Sequence, residues 1–248
     1  MSSVTDSSER SLMVVVPAFN EEEAVGHAVD SVREAMPGIP IVVVDDGSRD
    51  ATANVARLAG AEVLQLPHHL GLGGAVQAGY RFAFDRGFQK VVRVDSDGQH
   101  VPAEIPRLIE QMTSGDFDMV TGSRFLEPNG YKPEFSRWLG SRIFSWVLRP
   151  ILGQRISDPT SGFIAVNRRA LEVFAHTFPL EYPEIEALVV LKRKALSFCE
   201  VPVKMRARVA GTSTITRWKA VSYMIRVLLG VFVNVIKYER RFHIGRRR

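Results

Sequence analysis

Residues 91–100 read VVRVDSDGQH. A Val-rich run of this kind suits a buried strand, yet it ends on two carboxylates, Asp95 and Asp97, one residue apart. Two like charges at that spacing repel each other. Asp, Ser and Gly are turn formers and Asp-Gly is a common turn dipeptide, so a plain turn is one reading. The other is a cation site, in which two carboxylates on a short loop share a divalent ion whose remaining ligands are substrate phosphates.

The flanking segments favour the second reading. LMVVVPAF (12–19), PIVVVDDGS (40–48), AEVLQLP (61–67), KVVRVD (90–95) and DMVTGS (118–123) read as five strands. Helical spacing fills the gaps at 21–36, 50–60, 73–87 and 102–112, with Ser48 or Asp50 expected to cap the second helix. Such alternation predicts an α/β fold with a mostly parallel sheet and helices on both faces. Ligands of such sheets sit beyond the C-terminal strand ends. Three of those ends carry Pro17-Ala18-Phe19-Asn20-Glu21, Asp45-Asp46-Gly47-Ser48 and Asp95-Ser96-Asp97. Acids gathered on one sheet edge point to a ligand site more than to unrelated turns.

The 248 residues are 46% hydrophobic, enough for a sizeable core. The lone Cys199 excludes a disulfide framework or a Cys-rich metal site. The polar start MSSVTDSSER has no apolar leader core and reads as a flexible tail over 1–10. The net charge of +5 is uneven: from Lys192 onward, fifteen Lys and Arg face only Glu200 and Glu239. A basic end on an acidic body suggests an anionic surface as partner. There is no Gly-x-x-x-x-Gly-Lys phosphate loop. GLGGAVQAG (71–79) follows the third strand and lacks a suitably placed acidic ribose partner, so it is not a nicotinamide fingerprint. It reads as a helix start allowing close backbone approach, or as a small-residue helix packed on the sheet.

VVVPAFNEEEAV, VVVDDGSRDAT, GLGGAVQAG, RVDSDGQHVP, TGSRF and DPTSGF occur in that order. Together they resemble the family 2 inverting glycosyltransferases of GT-A fold, in the polyprenyl-phosphate branch that includes dolichol-phosphate mannose synthase. The resemblance covers about residues 12–210. It implies a GT-A catalytic domain over 11–210, a nucleotide-diphosphate sugar donor, Mg²⁺ or Mn²⁺, and a polyprenyl phosphate acceptor. It places Pro17, Ala18, Asn20 and Glu21 on the nucleotide-binding first loop, and Asp45 and Asp46 on the base-recognising acidic pair. Gly74 and Asp95 join the donor set. Asp95, Asp97 and Gln99 fall on the metal-binding motif. Arg124, Arg137, Ser141, Arg208 and Ser213 fall on acceptor-phosphate positions, and Asp158 and Gly162 on a loop near the donor sugar. Asp97, Arg124 and Asp158 are the residues implied to carry the reaction. Two departures leave the sugar open: Thr214 stands where the mannose synthases have Lys, and EYPEIEAL (181–188) resembles bacterial polyprenyl-phosphate sugar transferases instead.

The chemistry is consistent with these residues. Bond breaking at the anomeric carbon builds charge on the leaving diphosphate, which a metal can stabilise. A phosphate monoester is already anionic near neutral pH, its second pKa being ~6, so it needs cationic positioning rather than a general base. Arginines supply that with charge-assisted hydrogen bonds, although any one of them reads equally as a solvated surface charge. Glu184 and Glu186, two apart on a helix, point to different faces, so at most one reaches the site.

WLGSRIFSWVLRPILG (138–153) and the segment from Trp218 to Arg248 mix bulky apolar residues with Arg. The longest clean apolar run, 227–236, falls short of the ~20 residues a span requires. Both segments read as helices on a membrane surface, with the basic tail on anionic headgroups, or alternatively as core helices. The expectation is a peripheral enzyme at the cytoplasmic face, with an amphipathic, basic segment over 211–248 and room for a small membrane subunit. No nucleic-acid module is recognisable. The rivals are a glycosyltransferase of this fold with a hydroxyl acceptor, a non-catalytic nucleotide-binding protein and a nucleotidyltransferase.

Overall fold

A computed structural model describes residues 11–126 and 135–206, leaving out the side chains of 135–137. The tail over 1–10 and the segment over 211–248 lie outside the described residues.

Among the described residues, the strands are β1 (Leu12–Ala18), β2 (Ile41–Asp45), β3 (Glu62–Gln65), β4 (Lys90–Arg93), β5 (Met119–Ser123), β6 (Ile164–Asn167) and β7 (Phe198–Pro202). They form one sheet in the order β3-β2-β1-β4-β6-β5-β7. β6 runs antiparallel to β4 and β5, and all other pairs are parallel. β1 and β2 are buried almost throughout, which is why they read as continuous Val runs rather than alternating ones.

The helices are α1 (Val25–Ala35), α2 (Thr52–Leu58), α3 (Gly71–Asp85), α4 (Ile105–Ser114), α5 (Phe135–Leu152), α6 (Arg168–His176) and α7 (Pro183–Arg193). The core divides into two apolar clusters, one on each sheet face. One takes Tyr80 of α3, Leu148 of α5, Phe174 of α6 and Ile185 of α7. The other takes Val29 of α1, Ala56 of α2 and Leu108 of α4. Local chemistry sets the starts. The Asn167 side chain accepts the Arg169 and Ala170 N–H groups and caps α6. α2 begins at Thr52, later than a cap at Ser48 or Asp50 implies; Asp50 Oδ1 accepts the Thr52 N–H from just outside the helix.

Gly79 explains how closely α3 lies on the sheet. A Cβ there would stand 2.4 Å from Val15 Cγ1 and 3.1 Å from Val44 Cγ2. This glycine therefore serves helix-to-sheet packing. β6 and β7, which sequence periodicity leaves unassigned, complete the sheet on the far side of β4.

The chain runs from β1 outward through β2 to β3, then returns to the opposite side of β1 as β4. The connections after β1 and β4 therefore lead to opposite halves of the sheet, β1 toward β2 and β3, β4 toward β5. That is the topological switch point where open α/β sheets form a crevice.

Candidate active site

A cavity of ≈ 360 Å³ opens at this switch point. Pro17, Ala18, Phe19 and Glu21 line it from the β1 end. Asp46, His69, Leu72 and Ala75 come from β2 and the start of α3. Arg93, Asp95, Ser96 and Asp97 come from the β4 end. Six of the residues expected at the donor or metal site thus share one cavity: Pro17, Ala18, Glu21, Asp46, Asp95 and Asp97.

Other expected residues shape this site from outside the cavity. Asn20 sits in the left-handed region at φ 53°. Its N–H donates to Ser48 Oγ (2.9 Å), and its Oδ1 accepts from Arg49 N–H (2.9 Å). It ties the first loop to the second. Asp45 is buried; Oδ1 accepts the Ser48 N–H at 3.1 Å and so shapes the second turn. Gly74 opens instead onto a neighbouring groove with Leu70, Gln77 and Leu180.

Asp46 is 2% exposed and heavily engaged. Its Oδ1 accepts from Leu70 N–H (2.7 Å) and its Oδ2 from Gly71 N–H (2.8 Å), at the start of α3. His69 Nδ1 lies 2.8 Å from Oδ2.

The β4 end is an ion-pair cluster. Arg93, 1% exposed, sends Nε and Nη2 to Asp95 Oδ1, both at 2.9 Å, and Nη1 to Glu184 Oε1 at 2.8 Å. A buried guanidinium requires such pairing. Burial alone would raise the Asp95 carboxyl, but the Arg93 guanidinium, helped by His100, holds it below the usual carboxylate range. His100 Nδ1 accepts the Asp95 N–H at 2.9 Å, and its ring stacks on Phe163. Burial pushes the His100 imidazole downward, which suits a ring nitrogen acting as acceptor. Glu184 meets Arg93, whereas Glu186 lines a separate pocket with Arg193. Two acids two residues apart do take different faces.

Arg124 and Asp158 form a second buried pair. Nε donates to Oδ2 (2.6 Å) and Nη2 to Oδ1 (2.7 Å), a two-pronged guanidinium–carboxylate contact. Glu200 of β7 holds the Asp158 loop by accepting the Ser157 and Asp158 N–H groups at 2.6 and 2.7 Å. Neither Arg124 nor Asp158 lines the cavity, yet the Arg124 charge lowers the Asp95 carboxyl. Ser141 is buried and donates to the Ser157 carbonyl at 3.4 Å. The Arg137 side chain, Arg208 and Ser213 lie outside the described residues.

Arg93, His100, His69 and Glu200 are the contributors that motif reading passes over. Only Arg93 leaves a signal, as a charge inside a Val-rich strand.

Gly162 makes the β4 cluster possible. A Cβ there would stand 2.5 Å from Asp95 Oδ2 and 2.8 Å from Arg93 Nη2. Gly162→Ala is expected to displace that pair, costing about 1–3 kcal/mol of stability as overpacking does, and to weaken nucleotide binding. Thermal melting and calorimetry check this; unchanged values in both would mean that the pair relaxes freely.

The donor set at this edge is oxygen-rich. Asp95 and Asp97 offer carboxylates and Gln99 an amide, and Asp97 Oδ1 accepts the Gln99 N–H at 3.0 Å. Among the described residues, no group of three or more His, Cys, Asp or Glu is placed to hold a metal on its own. Mg²⁺-type sites commonly use one or two carboxylates plus substrate phosphates. The residues fit that kind of ion.

The family model for Glycosyl transferase family 2 matches residues 13–174. An undecaprenyl-phosphate mannosyltransferase of Micrococcus luteus is 32% identical over 215 residues, 82% of this chain and 86% of that protein. A UDP-N-acetylglucosamine–dolichyl-phosphate N-acetylglucosaminyltransferase of Methanococcus voltae is 27% identical over 216 residues, 79% and 86% of the two chains. Among solved structures, glucosyl-3-phosphoglycerate synthase of Mycobacterium tuberculosis, in complex with Mn²⁺, UDP and glucosyl-3-phosphoglycerate, superposes with TM-score 0.69 at 25% identity. That match covers 92% of this chain and 80% of the synthase. The chain belongs to glycosyl transferase family 2 and is a glycosyltransferase.

Proposed function

We propose that this enzyme transfers one sugar, with inversion, from a nucleotide-diphosphate sugar to a polyprenyl phosphate. The observation that carries the reading is the cavity at the switch point, bordered by Asp95 and Asp97, with the Arg124–Asp158 pair beside it. Relatives named for transfer to undecaprenyl and dolichyl phosphate support the acceptor class. Those two names carry different sugars, in keeping with the departures at Thr214 and EYPEIEAL.

Asp97, with Asp95 and Gln99, would hold Mg²⁺ or Mn²⁺, which when bound supplies positive charge for the leaving diphosphate. The chain's own residues do the rest. The first loop and the Asp46 turn bind the nucleotide. Arg93 keeps Asp95 ionised and directed. Asp158 and Glu200 hold Arg124 in place, from where its charge acts on the acceptor phosphate. No general base is needed for an acceptor that is already anionic.

The test compares acceptors. The protein is incubated with Mn²⁺, detergent and a panel of nucleotide sugars, with either polyprenyl phosphate or the dephosphorylated polyprenol, and products are read by mass. Glycosylated polyprenyl phosphate is expected. Product on the alcohol alone would move the reading to a hydroxyl acceptor.

The same reading places the enzyme peripherally at the cytoplasmic face of a membrane. Among the described residues, no helix is long and apolar enough to cross one. The outer face of α5 exposes Trp138, Leu139 and Trp146, the last at 78%. Arg142 and Arg149 share that face, and Arg142 lies 5.6 Å over the Trp138 ring. Aromatic and basic residues interleaved in this way suit a headgroup boundary. Trp146→Ser is expected to weaken sedimentation with anionic liposomes about tenfold, which corresponds to about 1.4 kcal/mol. Changing Arg240, Arg241, Arg246, Arg247 and Arg248 to Gln, at ~1 kcal/mol each, should weaken it further and reduce its salt dependence. Unchanged sedimentation of both variants would contradict the placement.

A further inference from the structure

The resemblance assigns base recognition to Asp46. In the structure that carboxylate already accepts two backbone N–H groups, from Leu70 and Gly71, and sits 2.8 Å from His69 Nδ1. A carboxylate that accepts cannot donate, so Nδ1 carries the proton in this contact and the His69 ring is oriented by it. The ring then lies against Phe19, with centroids 3.9 Å apart and planes 27° from parallel. Both rings line the cavity that contains Asp95 and Asp97. Both are also open to it: Phe19 is 39% exposed and the His69 side chain 52%.

This is a preorganised aromatic platform. Asp46 anchors His69, the start of α3 anchors Asp46, and Phe19 stands on the first loop. A planar heteroaromatic group is the ligand chemistry such a surface takes. The acidic β4 edge, with its fitness for a metal and diphosphate, lies in the same cavity. We infer that His69 contacts the nucleobase of the donor by stacking, and that Asp46 acts through His69 as its positioning residue. The inference rests on the nucleotide-sugar reading above and adds to it the residue that meets the base.

The experiment is calorimetric titration of the full chain with Mn²⁺ present, using UDP, GDP and inorganic pyrophosphate as probes. For whichever nucleotide binds the wild type more tightly, His69→Ala is expected to weaken binding tenfold or more, within the range of base–aromatic stacking. Pyrophosphate affinity should stay within twofold, because it presents no base. His69→Phe keeps a stacking ring but loses the Asp46 contact, so its affinity should fall between those of wild type and His69→Ala. His69→Asn keeps a polar group for Asp46 without the ring and should behave like His69→Ala.

The negative outcomes separate cleanly. If the wild type binds pyrophosphate but neither nucleotide any better, the donor reading fails and this inference falls with it. If the wild type prefers a nucleotide and His69→Ala matches it, His69 does not touch the base. If His69→Ala loses nucleotide and pyrophosphate affinity equally, its role is to hold the loop, and base contact is overturned. If His69→Asn retains affinity and His69→Phe loses it, stacking is overturned in favour of a polar contact.

Discussion

Asp97→Asn is expected to lower sugar transfer by about 10²–10³-fold, the scale of losing one preorganised electrostatic contact to developing charge, with the fold intact. Asp97 lines the cavity, and its Oδ1 accepts the Gln99 N–H. An asparagine oxygen can still accept that bond, so the loop keeps its turn. What disappears is one negative charge at the place where a cation and a diphosphate are proposed to meet. Turnover should be measured at limiting Mn²⁺ alongside a melting curve. Activity within twofold of wild type, with the fold unchanged, would remove Asp97 from the reaction.

Asp158→Ala should produce the largest stability loss. Asp158 is fully buried and holds Arg124 through both carboxylate oxygens, and its Oδ2 also accepts the Arg124 N–H at 3.1 Å. Removing one partner of a buried pair leaves an uncompensated charge and costs about 3–5 kcal/mol. In a chain of this size that lowers the melting temperature by on the order of 10 °C. Adding Arg124→Met to Asp158→Ala removes the stranded charge and should recover part of the loss. Urea unfolding of the two single variants and the double variant gives the coupling directly. A loss under ~1 kcal/mol for Asp158→Ala would mean that Arg124 finds another partner or reaches water.

How far the sequence reveals this architecture depends on the range of the interactions involved. β1, β2 and β4 are legible because they are buried on both faces and leave continuous Val runs. The acidic strand ends are legible because a doubly wound fold sends them all to one edge. β6 is harder: Ile164–Asn167 is a strand of four residues, and nothing local says that it runs antiparallel between β4 and β5. Its position follows from long-range pairing, as does that of β7.

The same division runs through the site. Asp95 and Asp97 announce themselves by spacing. The residues that give them their properties are remote in sequence: Glu184 reaches Arg93 across 91 positions, and Glu200 reaches the Asp158 N–H across 42. Gly162 is quoted in a motif, but its reason lies in the Asp95 and Arg93 atoms that a Cβ would strike. The glycine-rich stretch 71–79 divides in the same way: Gly74, which the resemblance puts in the donor set, borders a groove with Leu70 and Leu180, and Gly79 serves packing on Val15 and Val44.

Anomalous diffraction from crystals soaked with Mn²⁺ and a nucleoside diphosphate tests most directly whether the β4 edge is the reaction centre. One strong manganese peak is expected beside the Asp97 carboxylate, with diphosphate density between it and the first loop. A manganese peak elsewhere, or nucleotide density confined to the groove beside Gly74 and Leu180, would contradict the assignment of Asp95 and Asp97 to the donor site.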